Sequence, residues 1–168
     1  MFPFFSRESS STKGWYRIGL LSDFPDVESK DETCRVTPSC KAFTIPNTNN
    51  HTTTTSPLEP IQADIDTPGD MKDQVLVFKY KGKIHAVDHQ CPHSSFPLSQ
   101  GRLFDIEDFG VVLSAGITCP KHDWSFDLFS GQGDRGNYKL KVWEVDVRDG
   151  KGGDDDKEVW VRRKQRIG

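Results

Sequence analysis

Two short segments of the sequence each combine a cysteine with a histidine. The first is Cys91-Pro92-His93, and the second is Cys119-Pro120-Lys121-His122. Each segment follows a strand-like run and contains proline, so each cysteine is expected at the start of a loop. Thiolates and neutral imidazoles are both metal ligands, and two such loops at one end of a β-domain would present two of each. The pattern predicts one metal site.

Two kinds of metal centre suit this ligand set. A zinc site with two sulfur and two nitrogen ligands is one, but zinc fingers pair like with like, as C-x₂₋₄-C and H-x₃₋₅-H. Here each half pairs unlike ligands, which favours a [2Fe–2S] cluster with both thiolates on one iron and both imidazoles on the other. Thiolates stabilise ferric iron more strongly than imidazoles, so an added electron would settle on the histidine-bound iron. A zinc-binding or metal-free protein-interaction domain on the same scaffold stays open as the alternative.

The elements that must position these loops are short and β-rich. Residues 75–80 and 83–88 flank Lys81-Gly82 and predict a hairpin. Further strands are predicted at 15–20, 111–113, 117–118, 125–129, 138–147 and 158–163. Helical periodicity is nearly absent, with one helical turn expected at 105–109. The sum predicts an all-β fold, a small antiparallel β-sandwich or barrel with the two loops at its tip.

Residues 27–70 differ in composition from the rest of the chain. They contain Thr52-Thr53-Thr54-Thr55, Asn47-Thr48-Asn49-Asn50 and five prolines, with few apolar residues. Such a segment cannot bury enough surface to offset the entropy of ordering it, so a disordered low-complexity insertion is predicted. The predicted organisation is a flexible N-terminal tail at 1–14, a domain at 15–163 interrupted by this insertion, and a basic tail at 164–168.

Composition narrows the classes of partner. The formal net charge of the 168 residues is −3, which gives no electrostatic reason to expect nucleic acid. No run approaches the roughly 20 apolar residues that span a bilayer. The apolar start contains Pro3 and is soon followed by Arg7 and Glu8, which is unlike a signal peptide. We predict a soluble, cytoplasmic monomer with neither a nucleic-acid nor a membrane partner.

The two motifs, with proline after both cysteines, resemble those of the Rieske family, in particular its small soluble ferredoxins that feed oxygenases. Trp15-Tyr16-Arg17-Ile18-Gly19 is also similar to the first strand of that family. The resemblance covers about residues 15–25 and 73–163 and excludes the insertion. It implies one [2Fe–2S] cluster bound by four residues. Those metal ligands and cofactor-binding residues are Cys91, His93, Cys119 and His122.

The function implied by the resemblance is single-electron transfer. The redox protein partners would be a flavin-dependent reductase and an oxygenase or other oxidoreductase. The chain ends without room for the 2-His-1-carboxylate iron domain of an oxygenase, so a carrier is predicted rather than a stand-alone catalyst. Glycine-rich residues 131–137 match a loop that covers the cluster in the family.

Several residues depart from the family pattern. Asp123 stands where glycine is usual, and Ser94-Ser95 where glycine is frequent. Trp124 and Phe126 occupy the places of a serine and a tyrosine that donate hydrogen bonds to the cluster in respiratory members. Fewer such bonds would destabilise the reduced state, which implies a potential of roughly −150 mV rather than about +300 mV.

The surface around the loops is expected to receive the partner. Acidic residues on the chain are expected to steer a basic partner towards it. The residues predicted to frame the docking surface are Ser95, Phe96, Pro97, Asp123 and Trp124, and the acidic ones are Asp105, Glu107 and Asp108.

Overall fold

The computed structural model describes residues 14–27, 34–46, 59–67, 69–150 and 156–164. Within these ranges the chain forms ten β-strands and two short 3₁₀ turns, the latter at Leu21–Asp23 and Leu98–Gln100. The strands are β1 (Tyr16–Leu20), β2 (Lys41–Thr44), β3 (Ile61–Ala63), β4 (Gln74–Tyr80), β5 (Lys83–Asp88), β6 (Arg102–Asp108), β7 (Val111–Thr118), β8 (Ser125–Asp127), β9 (Glu144–Asp149) and β10 (Lys157–Arg162). They form three antiparallel sheets, ordered β1-β10-β9, β3-β2-β4-β5 and β6-β7-β8. The predicted all-β architecture is confirmed.

The sheet that contains β4 and β5 lies between two hydrophobic cores. Val75 and Val77 of β4 pack with β1 and β10, whereas Leu76 and Phe78 pack with the sheet of β6 and β7. Side chains alternate between the faces of a strand, so a strand buried on both faces reads as a continuous apolar run. This explains why β4 has no polar face in the sequence.

Two tight hairpins shape the fold. Lys81 and Gly82 join β4 to β5 with φ values of 49° and 81°, which is the type I′ geometry suited to strand twist. Phe109 and Gly110 join β6 to β7 in the same way, with φ values of 51° and 77°. The helical turn predicted at 105–109 is wrong, because this segment is the end of β6 and the first residue of that hairpin turn.

The prediction of a wholly disordered insertion is also wrong for the described part of 27–70. β2 pairs with both β3 and β4, and it buries Ala42 in one core and Phe43 in the other. A few apolar residues are sufficient here because the exposed edge of an existing sheet supplies the hydrogen-bond partners. Residues 28–33, 47–58 and 68 lie outside the described residues. The same holds for nearly all of the two predicted tails.

Both cysteine loops emerge at the same end of the β6–β7 hairpin. Arg102 at the start of β6 pairs with Thr118 at the end of β7, immediately before Cys119. The first loop begins after β5 and is closed by a bridge between Gln90 and Pro97. The hairpin therefore places the two loops beside each other.

Candidate metal centre

The two cysteine loops have the same backbone hydrogen-bond pattern. Cys91 donates its N–H to the carbonyl oxygen of Phe96 at 2.9 Å, and its own carbonyl accepts from the Ser95 N–H at 2.9 Å. Cys119 donates its N–H to the carbonyl of Trp124 at 2.8 Å, and its carbonyl accepts from the Asp123 N–H at 3.0 Å. In each loop, backbone hydrogen bonds thus join the cysteine to the fourth and fifth residues after it.

The fourth residue of each loop has a left-handed backbone. Ser95 has φ 59° and Asp123 has φ 58°. Glycine adopts this region without steric cost, whereas among other residues aspartate and asparagine enter it most readily. The departures from glycine noted in the sequence at these positions therefore keep the loop shape, with some backbone strain.

The two cysteines meet at the buried base of the loops. Each has only 1% of its surface exposed, and their thiol groups interact with each other. The Ser94 hydroxyl of the first loop lies 3.5 Å from Cys119 Sγ of the second. The side chains of the two loops thus touch at their sulfur ends.

Burial disfavours a bare thiolate at this base. Desolvation raises the pKa of the Cys119 thiol, and the neighbouring Cys91 raises it further. The Ser94 hydroxyl and the Lys121 backbone N–H act in the opposite direction. Two adjacent buried thiolates need a nearby cation to offset their charge, which a bound metal centre supplies.

The two histidines meet at the outer side of the loops. The ring centroids of His93 and His122 are 5.2 Å apart, with the rings at 69°. His122 is exposed, whereas His93 is half-buried. The structure therefore brings cysteine to cysteine and histidine to histidine, from motifs that each contain one of both.

An aromatic cover explains why His93 is less exposed. Its ring stacks on Trp124, with centroids 3.8 Å apart and planes at 7°, and the edge of Tyr138 lies 5.1 Å away. The glycine-rich segment passes close by, since a Cβ on Gly136 would lie 3.4 Å from the Trp124 ring. Tyr138 was expected in a strand, and sequence reasoning missed its place in the site because only the tertiary fold brings it there.

His93 Nδ1 is an unpartnered acceptor or donor inside this site. Among the described residues it is the one buried side-chain nitrogen or oxygen without a hydrogen-bond partner. Buried polar groups are nearly always satisfied, so an orphan nitrogen in a loop that begins with a buried cysteine is expected where a metal completes the bonding.

The pairing of cysteine with cysteine and of histidine with histidine fits a cluster of two irons, each of which would take two protein ligands. In the described part of the chain, no three His, Cys, Asp or Glu side chains are grouped so that they could hold a single metal ion. A structural zinc site needs four ligands around one ion. In a histidine-ligated [2Fe–2S] cluster each iron takes only two protein ligands, on opposite sides of the cluster.

The two remaining described histidines have structural positions. His89 is fully buried, and its ring nitrogens lie 2.8 Å from Gln74 Oε1 and 2.9 Å from Ser99 Oγ. His85 is buried between Phe78 and Phe129. Desolvation lowers the pKa of each to about 4.

Comparison with known families identifies the class of protein. The family model of the Rieske [2Fe-2S] domain matches residues 60–143, which is half of the 168-residue chain. The chain therefore belongs to the Rieske [2Fe-2S] domain family, and its cofactor is one [2Fe–2S] cluster.

Curated relatives include ferredoxin components of oxygenase systems. The ferredoxin component of the alkene monooxygenase system of Xanthobacter autotrophicus is 37% identical over 79 residues, covering 46% of this chain and 58% of that protein. The Rieske domain-containing protein of Homo sapiens is 42% identical over 60 residues, covering 36% of this chain and 35% of that protein. These alignments span less than two thirds of either relative.

Solved structures support the fold. The candidate NADH-dependent nitrite reductase small subunit of Mycobacterium tuberculosis has a TM-score of 0.53 at 14% identity, covering 90% of this chain and 96% of that one. A chain from the complex of reduced oxygenase and oxidised ferredoxin in carbazole 1,9a-dioxygenase has a TM-score of 0.50 at 16% identity, covering 91% and 98%. At these identities the likeness concerns the fold alone.

Within the described ranges, none of the helices has the length and apolarity needed to cross a membrane.

Proposed function

We propose that Cys91, His93, Cys119 and His122 bind the [2Fe–2S] cluster, and that the protein carries single electrons between a flavin-dependent reductase and an oxygenase or other oxidoreductase. The observation that carries the proposal is the sorting of ligands by the two matching loops. Both cysteines lie at the buried base and both histidines at the outer side. The cluster supplies one-electron redox chemistry when bound.

The role of a carrier is supported by the exposure of His122. A partner can approach its imidazole edge directly, whereas the aromatic cover shields His93. The groove beside the two cysteine loops is shallow and open to solvent. These features suit contact with another protein more than capture of a small substrate. We place this activity in a monomer in the cytoplasm.

The ligand assignment is tested by four single variants against a matched control. Cys91→Ser, Cys119→Ser, His93→Ala and His122→Ala should each lose the brown colour and the EPR signal of the reduced cluster. Cys34→Ser should keep both, because Cys34 lies outside the two loops. Metal analysis of the purified protein should give two irons and two acid-labile sulfides per chain. Stoichiometric zinc in a colourless protein would instead support the alternative centre.

Carrier function is tested by following the visible absorbance of the cluster. Purified holoprotein should be reduced rapidly by NADH in the presence of a flavin-containing ferredoxin reductase, and only slowly by NADH alone. Light scattering and cell fractionation check the monomer and its location. A cluster that dithionite reduces but no flavoprotein reductase tested can reduce would count against the proposed electron donor.

A further inference from the structure

A groove lies directly beside the two cluster loops. Its volume is about 270 Å³, and it is lined by Arg35, Phe96, Gln100, Arg102 and Pro120. Phe96 closes the first loop and Pro120 follows the cysteine of the second. A molecule seated in the groove would therefore touch both loops.

The two arginines of the groove are held side by side by the backbone. Arg35 forms a short antiparallel bridge with Arg102. The bridge is fixed by the Val36 N–H, which donates to the Gly101 carbonyl at 3.1 Å, and by the Leu103 N–H, which donates to the Cys34 carbonyl at 2.7 Å. Like charges opposite each other on paired strands repel, so this arrangement is unfavourable unless an anion lies near them.

The described residues supply little negative charge to this pair of arginines. Asp123 Oδ1 lies 3.5 Å from Arg102 Nη2, but the two side chains are 70% and 46% exposed, so the contact is weak. Among the described residues, no carboxylate lies within salt-bridge distance of Arg35. In the described part of the chain, the guanidinium group of Arg35 thus has no carboxylate partner and that of Arg102 has only a weak one.

The acidic residues once expected to steer a basic partner do not reach this region. Asp105 accepts a hydrogen bond from Tyr80 at 2.9 Å and forms an ion pair with Lys81. Glu107 and Asp108 lie at the hairpin end of β6, the opposite end from Arg102. The charged residues that line the groove are Arg35 and Arg102, so an acidic rather than a basic partner surface is expected there.

We infer that this groove receives a glutamate side chain from an acidic surface of the redox partner, with its carboxylate between Arg35 and Arg102. Guanidinium groups bind carboxylates through two parallel hydrogen bonds. The rings of Phe96 and Pro120 offer apolar surface to the methylene groups of the same side chain. The inference rests on the proposed function, since it names the surface by which the carrier meets its partner.

Arg35 lies outside the part of the chain that defines the family. It lies in the segment 27–70 and outside the residues 60–143 that match the family model. The described part of the insertion thus contributes a charged side chain beside the redox centre.

The test uses a fluorescein-labelled peptide of six glutamates and measures its fluorescence anisotropy with holoprotein. The variant Arg35→Gln/Arg102→Gln should weaken binding by at least about tenfold, because two charge-assisted contacts are lost. The control Arg17→Gln/Lys157→Gln removes the same charge from exposed positions in the sheet of β1 and β10, and should bind within about twofold of the parent protein. Arg35→Lys/Arg102→Lys keeps the charge without the guanidinium geometry and should bind with intermediate strength.

Two results would overturn the inference. One is equal binding by the parent protein and the Arg35→Gln/Arg102→Gln variant. The other concerns displacement of the labelled peptide. If inorganic phosphate displaces it at the same concentration as unlabelled peptide does, the groove is a site for small anions. Circular dichroism and the single variant Arg35→Gln guard against loss of folding.

The state of the cluster separates this inference from the proposed function. Reduction by dithionite, followed by visible absorbance and EPR, is measured in every variant. Normal reduction with unchanged peptide binding rejects only the glutamate site. A parent protein whose cluster cannot be reversibly reduced rejects the proposed function itself.

Discussion

Ser94 and Trp124 are in direct contact with two of the candidate ligands. The Ser94 hydroxyl lies beside Cys119 Sγ, and Trp124 covers the ring of His93. Comparison with respiratory Rieske proteins indicated hydrogen-bond donors missing after Cys119, whereas the hydroxyl that lies beside Cys119 Sγ here comes from the other loop. The effect of the Ser94 hydroxyl on the midpoint potential can be measured in a variant that still binds the cluster.

Replacing Ser94 by alanine should lower the midpoint potential. A hydroxyl that donates to a thiolate stabilises the more negative, reduced state, and its removal costs that state about 1 kcal/mol or less. Since 59 mV corresponds to a tenfold change for one electron, the fall should be at most roughly 40 mV. A redox titration followed by EPR measures it.

Ser95→Gly is the control for this titration, because Ser95 is exposed and glycine suits its left-handed backbone. Its potential should stay close to that of the parent protein. An unchanged potential in Ser94→Ala would mean that the hydroxyl does not donate to the cluster ligand. A parent potential well above zero would contradict the predicted low range.

Strand β2 comes from the segment 27–70, for which composition predicted disorder. It completes the sheet of β4 and β5, and the residues just before it are hydrogen-bonded to the start of β6. The described part of the segment 27–70 thus connects the central sheet to the hairpin that carries the second cysteine loop. A segment of low apolar content is part of the structural support of the metal centre.

Replacing Phe43 by alanine should destabilise the whole domain. Phe43 is buried on β2 and lies 6.5 Å from the Phe24 ring between centroids, so its loss leaves a cavity in the core. The free energy of unfolding should fall by about 3 kcal/mol. Urea denaturation of the holoprotein measures it. Thr44→Ala, on the same strand but exposed, should change it by no more than about 0.5 kcal/mol. Equal stability of the two variants would show that β2 unfolds independently.

The described residues form three sheets around two cores, and the stability of the protein should depend on pH. His85 is buried between two aromatic rings, and burial, with a smaller contribution from Lys83, lowers its pKa to about 4. In the unfolded chain the pKa is about 6.5. Between these values the unfolded state binds a proton that the folded state does not, so stability falls as the pH falls from about 6.5 towards 4.

Replacing His85 by phenylalanine should remove this dependence. Below pH 6.5 the free energy of unfolding should fall less steeply in the variant than in the parent protein. The two slopes should differ by about 1.4 kcal/mol per pH unit, which corresponds to one proton. Urea midpoints measured at pH 8, 6 and 5 give the two slopes. The His89 contribution is present in both proteins and cancels in the comparison. Parallel slopes would show that His85 is protonated in the folded state.

The sequence was informative where chemistry or turn geometry is local. The mixed motifs predicted the two loops, and Lys81-Gly82 predicted its hairpin, because neighbouring residues carry these signals. β2, Tyr138 and Arg35 depend instead on contacts between residues far apart in the chain. Pairing at a sheet edge leaves little periodicity in a four-residue strand, so composition suggested disorder.

The two loops have the same backbone hydrogen bonds, so the number of residues between cysteine and histidine is what differs between them. His93 is the second residue after its cysteine, and His122 the third after its own. With this difference of one residue, the imidazole of His93 lies under the Trp124 ring, whereas that of His122 is exposed to water. A partner that approaches the two loops therefore meets the exposed ring of His122 first, because Trp124 and Tyr138 shelter the ring of His93.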